Sequence, residues 1–247
     1  MTTTHPHCPP PHHNPGAESP AIALALAALL PADVVLRQVW ITPQRFALHP
    51  DEAAAVARAV AKRQLEFAAG RHCAHSALQA LGVAPGPLLV GPARAPLWPA
   101  GVVGAISHDD AWAAAAVASQ GDCAGLGIDI ELIDRFTAAY AATICTPAEQ
   151  QRYLAGRTVV QQRIQLARLF TVKEALFKAQ FPLTGAWLDF GDLEVLLPDA
   201  ACGLFQATLL RPDWPWGFGQ VLRGGCAWAG DRACAALVLR PADVVLR

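Results

Sequence analysis

No lysine or arginine stands before Arg37, no two cysteines have CxxC spacing, and no apolar run approaches the length of a membrane span. Each absence removes a class of protein. The apolar run 21–30 has half of the ~20 residues a spanning helix needs, and Pro31 ends it. With no basic segment ahead of it, the run also lacks the form of an export signal. It reads as a short core helix of a soluble protein with no membrane span. The seven cysteines (Cys8, Cys73, Cys123, Cys145, Cys202, Cys226, Cys234) are odd in number and irregularly spaced. A disulfide framework is therefore not expected, and they read as reduced thiols in a cytoplasmic protein. Charge is scarce as well: 16% of residues carry it and the net value is -1. Without a global basic field, nucleic acid is not expected as a partner. Any anionic ligand must be met by local clusters of Arg and Lys.

What is present suits a compact fold, with 53% hydrophobic residues in a chain of 247. Residues 1–19 are rich in Pro and His and carry almost no large apolar side chains, so they read as a disordered tail. His5, His7, His12 and His13 there could capture stray transition metal. From Pro50, with Asp51 and Glu52 in the first turn, a helical pattern runs to Leu81 before Gly82. After a Pro- and Gly-punctuated segment, short β-like runs occupy Val102–Ser107, Trp112–Ala118 and Leu126–Glu131. Thr146–Pro147–Ala148–Glu149 has the form of a capping box with Pro at the first helical position. A second long helix is predicted over Gln161–Gln180, ending before Pro182, with Leu166, Leu169, Phe170, Phe177 and Phe181 on its apolar face. Strands resume at Leu193–Leu197, Gly203–Leu210, Cys226–Ala229 and Ala235–Leu239. The order suggests an α+β protein of two similar lobes, 20–121 and 122–247, each a long helix packed on a small, mostly antiparallel sheet. The heptapeptide PADVVLR occurs twice, at 31–37 and 241–247, and fits equivalent strands of related lobes or chance identity equally well.

Three segments carry chemistry. In Gly127–Ile128–Asp129–Ile130–Glu131, strand alternation puts Asp129 and Glu131 on one face, read as turned to solvent, and the isoleucines on the other. Two like charges drawn within ~4 Å would cost about 4 kcal/mol at an effective dielectric near 20, so a cation is expected between them. Mg²⁺ suits one or two protein carboxylates plus substrate phosphates. The segment fits equally well an exposed strand end whose acids are solvated or paired with Arg. In Phe170–Thr171–Val172–Lys173–Glu174–Ala175–Leu176–Phe177–Lys178, Glu174 and Lys178 share a helix face; alone, they are an ordinary surface ion pair. At the end of a strand, Ser107 and His108 can each donate to a phosphate oxygen.

Taken in order, Arg63, Gly70–Arg71, Arg94–Ala95–Pro96–Leu97–Trp98–Pro99, Ser107–His108, GIDIE and FTVKEALFK resemble the Sfp-type 4′-phosphopantetheinyl transferases, and within them the enterobactin synthase component D group. EFAAGR, TPAEQQRYL and GAWLDF add to that likeness, which runs from about residue 60 to 192. The resemblance implies a pseudo-twofold pair of lobes with coenzyme A between them. Asp129, Glu131 and Glu174 would hold Mg²⁺, or Mn²⁺, against the pyrophosphate. Glu174 would also be the base for the carrier serine, Lys178 would neutralise charge on the leaving oxygen, and His108 would donate to the pyrophosphate with Ser107 beside it. Arg63, Arg71 and Arg94, with Lys62 a weaker candidate, would meet the nucleotide, and Lys173 is counted among the coenzyme contacts.

Some positions depart from that pattern. His75 stands where a fixed cation is expected, Asp109 where a small neutral residue is, Ala105 in place of Ser and Phe170 in place of Trp. Between Glu149 and Glu174 there is no acid, while Arg152, Arg157, Arg163, Arg168 and Lys173 all occur. This stretch is a candidate docking face for an acidic carrier protein, and equally a solvated helix surface. The resemblance thus implies a monomeric enzyme that transfers 4′-phosphopantetheine from coenzyme A to a carrier of siderophore or other nonribosomal peptide synthesis. Two alternatives stay open: a transferase serving polyketide or fatty-acid carriers, and a non-catalytic coenzyme A-binding scaffold subunit.

Overall fold

The computed structural model describes residues 20–42, 46–214 and 219–244. The His/Pro-rich segment 1–19 and the last three residues of the second PADVVLR copy lie outside them.

Helix α1 (Pro20–Ala28) leads into strand β1 (Val35–Trp40). The expected single helix from Pro50 to Leu81 is two: α2 (Pro50–Val56) and α3 (Ala61–Ala80). The break has a local cause. Val60 is extended, and Gln64 Nε2 donates to the freed carbonyls of Val56 (3.2 Å) and Ala59 (3.0 Å). The turn folds α2 back so that the buried Glu52 carboxylate accepts from Leu88 N (2.9 Å) and sits 2.7 Å from His75 Nε2. Alanine tolerates both helix and turn, so hydrophobic periodicity alone does not reveal this kink.

Strands β2 (Val102–His108) and β3 (Trp112–Ser119) join β1 in an antiparallel sheet of order β1-β3-β2. The alanines of β3 are fully buried. Ala113 and Ala115 pack with Ala69, Cys73 and Ala74 of α3, and Ala114, Ala116 and Ala118 fill the other face. Side chains this small let layers close in from both sides.

Next come β4 (Gly125–Leu132), α4 (Ala141–Ile144), α5 (Pro147–Tyr153) and α6 (Val159–Thr184). The capping box at Thr146 and Glu149 forms as expected. Helix α6 starts two residues earlier than predicted, on a Thr158–Gln161 capping box, and runs through Pro182. A proline in the last turn forfeits one main-chain bond, and Gly185, at φ +63°, ends the helix with its N–H on Phe181 O at 2.8 Å. Strands β5 (Leu193–Leu196), β6 (Cys202–Leu209), β7 (Val221–Ala229) and β8 (Arg232–Leu239) complete a second antiparallel sheet of order β4-β8-β7-β6-β5.

Helix α6 packs on β4, β8 and β7. The approach to β4 is so close that a Cβ at Gly127 would lie 1.8 Å from the Ala175 carbonyl oxygen, which is why a glycine stands there. Leu166, Leu169 and Leu176 are fully buried beneath it, each contributing about 1.5–3 kcal/mol by leaving water. The fold is thus α+β, with one long helix on an antiparallel sheet in each half. The halves share a core: Ile22 and Leu26 of α1 pack with Ala114, Ala116, Ile128, Ile130, Ala227 and Ala236. Helix α1, though it precedes the first sheet in sequence, rests on β7 and β8 of the second.

Candidate active site

Where β2 runs beside β4, a cleft of about 400 Å³ opens between α3 and α6. Arg63, Arg94 and His108 line one wall, and Asp129, Glu131, Glu174 and Lys178 line the other. The helical period sorts α6 for this purpose. Positions 166, 169, 173, 176 and 180 form its buried stripe, while Phe170, Glu174, Phe177, Lys178 and Phe181 face the cleft.

On the acidic wall, Asp129 is 3% exposed, so the carboxylate expected to face solvent is buried beneath α6. Its Oδ1 accepts from Lys178 Nζ at 2.6 Å and from Ser107 Oγ at 2.8 Å, while its Oδ2 is buried with no hydrogen-bond partner. Glu131 Oε2 accepts from Arg135 Nη1 at 3.0 Å. Burial raises all three acids. Asp129 goes up although Lys178 and Ser107 oppose it, Glu131 is pushed to about 7 by burial and then by the Asp129 charge, and Glu174 rises for the same two reasons.

Among the described residues, no three His, Cys, Asp or Glu side chains are gathered so as to hold a metal ion. The acids are instead held by cations of the chain, Lys178 on Asp129 and Arg135 on Glu131. The donor set still fits a hard divalent ion. Three carboxylates share one cleft, their ionised forms are disfavoured by burial and mutual repulsion, and one buried oxygen has a free lone pair.

On the basic wall, Arg63 Nη1 lies 2.7 Å from His108 Nε2. A guanidinium can only donate, so Nε2 accepts and the ring proton sits on Nδ1, 3.7 Å from Glu66 Oε2. Burial, then the charges of Arg63 and Lys178, lower His108 to about 4, so it is neutral at pH 7. Arg71 lies in an adjoining hollow of about 340 Å³ that Arg63, Arg94 and His108 also line. Its guanidinium sits 4.5 Å from the Phe67 ring centroid, and its buried Nε has no hydrogen-bond partner. Arg94 closes a tight turn in the left-handed region, at φ +62°.

Three expectations need correction. Lys173 is not in the cleft. It lies on the buried stripe of α6, where Nζ meets Glu149 Oε2 (2.7 Å) and the carbonyls of Ile144 (2.8 Å), Phe190 (2.8 Å) and Leu193 (3.2 Å). It staples α6 to the segments around α5 and β5 and is out of reach of a coenzyme. Arg168 is also buried, donating to the carbonyls of Pro198 (2.7 Å) and Ala200 (3.1 Å), so the basic face over 152–173 reduces to Arg152, Arg157 and Arg163. Ser107 Oγ is committed to β4, donating to Asp129 and accepting from Ile130 N at 3.1 Å, which leaves no donor for a phosphate.

Profiles of known families match both halves of the chain. The 4′-phosphopantetheinyl transferase N-terminal domain covers residues 51–118, and the 4′-phosphopantetheinyl transferase superfamily covers 125–237. The chain is 44% identical over 192 residues to the 4′-phosphopantetheinyl transferase Svp of Streptomyces mobaraensis, spanning 76% of this chain and 77% of that one. The chain belongs to the 4′-phosphopantetheinyl transferase superfamily. Identity to the 4′-phosphopantetheinyl transferase PptT of Mycobacterium tuberculosis is 36%, over 74% of this chain and 81% of that one. Identity to enterobactin synthase component D of Escherichia coli K12 is 39%, over 52% and 61%.

Two residues that contact the lining of this transferase's cleft carry no role in the sequence reading. Glu66 stands between Arg63 (3.6 Å) and His108 (3.7 Å), and Arg135 joins Glu131 to Asp110. Arg63 and Glu66 are detectable as a charge pair three apart on a helix, whereas Glu131 and Arg135 meet only because the chain turns after the end of β4. His75, the residue in place of a fixed cation, is spent on Glu52. Among the described residues no helix is long and apolar enough to cross a membrane.

Proposed function

We propose that this transferase moves the 4′-phosphopantetheine group of coenzyme A onto a serine of an apo carrier protein, with the chemistry in the cleft between α3 and α6. The observation that carries the reading is the opposition of the two walls: Arg63, Arg94 and His108 face Asp129, Glu131, Glu174 and Lys178 across one cavity. Phosphoryl transfer asks mainly for positioning and for stabilisation of charge on oxygens, so cations facing an acid cluster are the parts required.

Arg63, Arg71 and Arg94 would bind the nucleotide phosphates. Neutral His108 would offer its single ring proton to the pyrophosphate. Asp129, Glu131 and Glu174 would hold Mg²⁺, or Mn²⁺, which when bound neutralises pyrophosphate oxygens. Glu174, raised by burial, is suited to take the serine proton as the hydroxyl oxygen attacks phosphorus. The bond from that phosphorus to the bridging oxygen breaks, and adenosine 3′,5′-bisphosphate leaves with Lys178 beside the oxygen that gains charge. The carrier would dock where Arg152, Arg157 and Arg163 leave a basic face, and a carrier of siderophore or other nonribosomal peptide synthesis is the proposed partner. The lobes 20–121 and 122–247 each supply one wall, which supports a monomer; the buried free thiols of Cys73, Cys123, Cys145 and Cys226 support a reducing cytoplasm.

The test is the mass of an apo carrier domain after incubation with coenzyme A, Mg²⁺ and the protein. A phosphopantetheine adduct is expected, formed about 10²–10⁴-fold more slowly by Glu174→Gln. No adduct on any peptidyl, aryl or acyl carrier would favour the coenzyme-binding scaffold instead.

A further inference from the structure

Residues 107 and 109 both reach from the end of β2 to the second sheet, and His108 stands between them. Ser107 bonds to Asp129 and to Ile130 N. Asp109, 1% exposed, holds Arg232 Nε at 2.5 Å with Oδ2, while Oδ1 accepts from Ala111 N and Trp112 N, both at 2.7 Å, and so closes the turn into β3. Arg232 is 4% exposed. Its Nη1 donates to Asp231 at 2.7 Å, and its guanidinium lies 5.5 Å from the Trp40 ring centroid. In the β4–β8 ladder Arg232 sits opposite Leu132, next to Glu131. One buried ion pair thus ties the strand that ends in His108 to the start of β8, which is paired with the end of β4 that carries Glu131. Because strand side chains alternate, His108 faces the other way, toward Arg63.

Closing the β2–β3 turn needs only Oδ1, and an asparagine would serve it equally. A buried ion pair is also a weak source of stability, since desolvation offsets its attraction. The Oδ2–Arg232 bond must therefore matter for something other than the turn. We propose that Asp109 and Arg232 are a positioning pair that sets His108 against the acids of β4 and so holds the two walls of the coenzyme site in register. The inference rests on the reading of His108 as a coenzyme contact.

The experiment compares kcat, KM for coenzyme A and thermal midpoint in Asp109→Asn, Arg232→Gln, Arg232→Lys and His108→Ala. Misplacing a contact made in both ground and transition states raises KM and spares kcat. Asp109→Asn and Arg232→Gln are expected to raise KM for coenzyme A about ten- to a hundredfold with kcat nearly unchanged, and Arg232→Lys is expected to recover most of the loss. Arg232→Gln keeps both turn bonds of Asp109, so it reports on register even if Asp109→Asn folds poorly. A lowered midpoint with unchanged KM in both variants would make the pair merely structural and overturn the inference. A KM raised by His108→Ala but by neither pair variant would overturn it while leaving the site reading intact. An unchanged KM in His108→Ala would remove both.

Discussion

Lys178 Nζ and Asp129 Oδ1 lie 2.6 Å apart, a contact that joins the cleft face of α6 to the inner edge of β4. Asp129 is 4% exposed at its side chain and Lys178 25%, so water screens the pair only from one side. Removing the ammonium would leave a buried carboxylate with Ser107 as its only side-chain donor. Lys178→Met is therefore expected to lower unfolding free energy by about 3 kcal/mol, the low end for breaking a buried pair. Adding Asp129→Asn should return part of it, since no buried charge is then left unpaired. Urea unfolding of the two single variants and the double variant measures the coupling.

Lys173 makes a contrasting prediction. Its ammonium is fully buried on Glu149, and burial lowers its pKa while Glu149 opposes the shift. Lys173→Ala should cost about 3–5 kcal/mol of stability by stranding Glu149. In the protein that remains folded, KM for coenzyme A should be unchanged. A raised KM at unaltered stability would put Lys173 in the coenzyme site after all.

His108 and Glu131 contribute to the pH dependence in opposite senses. The folded pKa of His108, about 4, lies below the ordinary 6.5 because burial and neighbouring cations disfavour the charged ring. The unfolded chain therefore binds a proton below pH 6.5 that folded His108 refuses until near pH 4. The His108 contribution to stability falls as pH drops through that window, by up to about 1.4 kcal/mol per pH unit, while the raised Glu131 contributes with the opposite sign. The stability of His108→Gln relative to wild type should therefore rise as pH falls from 6 to 4.5. The wild-type His108 ring resonances should not titrate between pH 6 and 8, and a midpoint near 6.5 would contradict the burial argument.

Much of this was legible in the residues, and the failures have physical causes. Alternation in GIDIE put Asp129 and Glu131 on one strand face, and they are there, because packing Ile128 and Ile130 inward fixes the register. Alternation does not say what covers the other face, so it points Asp129 to solvent although α6 lies over it. The same limit explains Lys173. Its neighbour Glu174 faces the cleft, but adjacent helical residues point about 100° apart, and Lys173 continues the stripe of Leu166, Leu169 and Leu176. That stripe, with a capping-box Glu149 needing a partner, was the available signal. The Asp109–Arg232 pair spans 123 residues, and no local pattern encodes a contact of that range.

Carrier docking should depend on the charges that remain exposed. Arg157 is exposed and Arg163 partly so, pairing only with the solvated Asp134 at 3.3 Å. Arg157→Glu with Arg163→Glu should raise KM for an acidic carrier about tenfold or more at low salt and leave KM for coenzyme A unchanged; the gap should narrow as salt shortens the screening length to below ~10 Å. Equal carrier KM values for wild type and variant would place the docking face elsewhere.

The most direct test of the acid cluster is Mn²⁺ binding in the presence of coenzyme A, followed by the loss of the free-ion electron paramagnetic resonance signal. One ion per chain is expected for the wild type, with affinity weakened at least about tenfold in each of Asp129→Asn, Glu131→Gln and Glu174→Gln, the scale on which lost ligation is felt. Equal Mn²⁺ affinity in the wild type and all three folded variants would contradict a divalent ion held by these carboxylates.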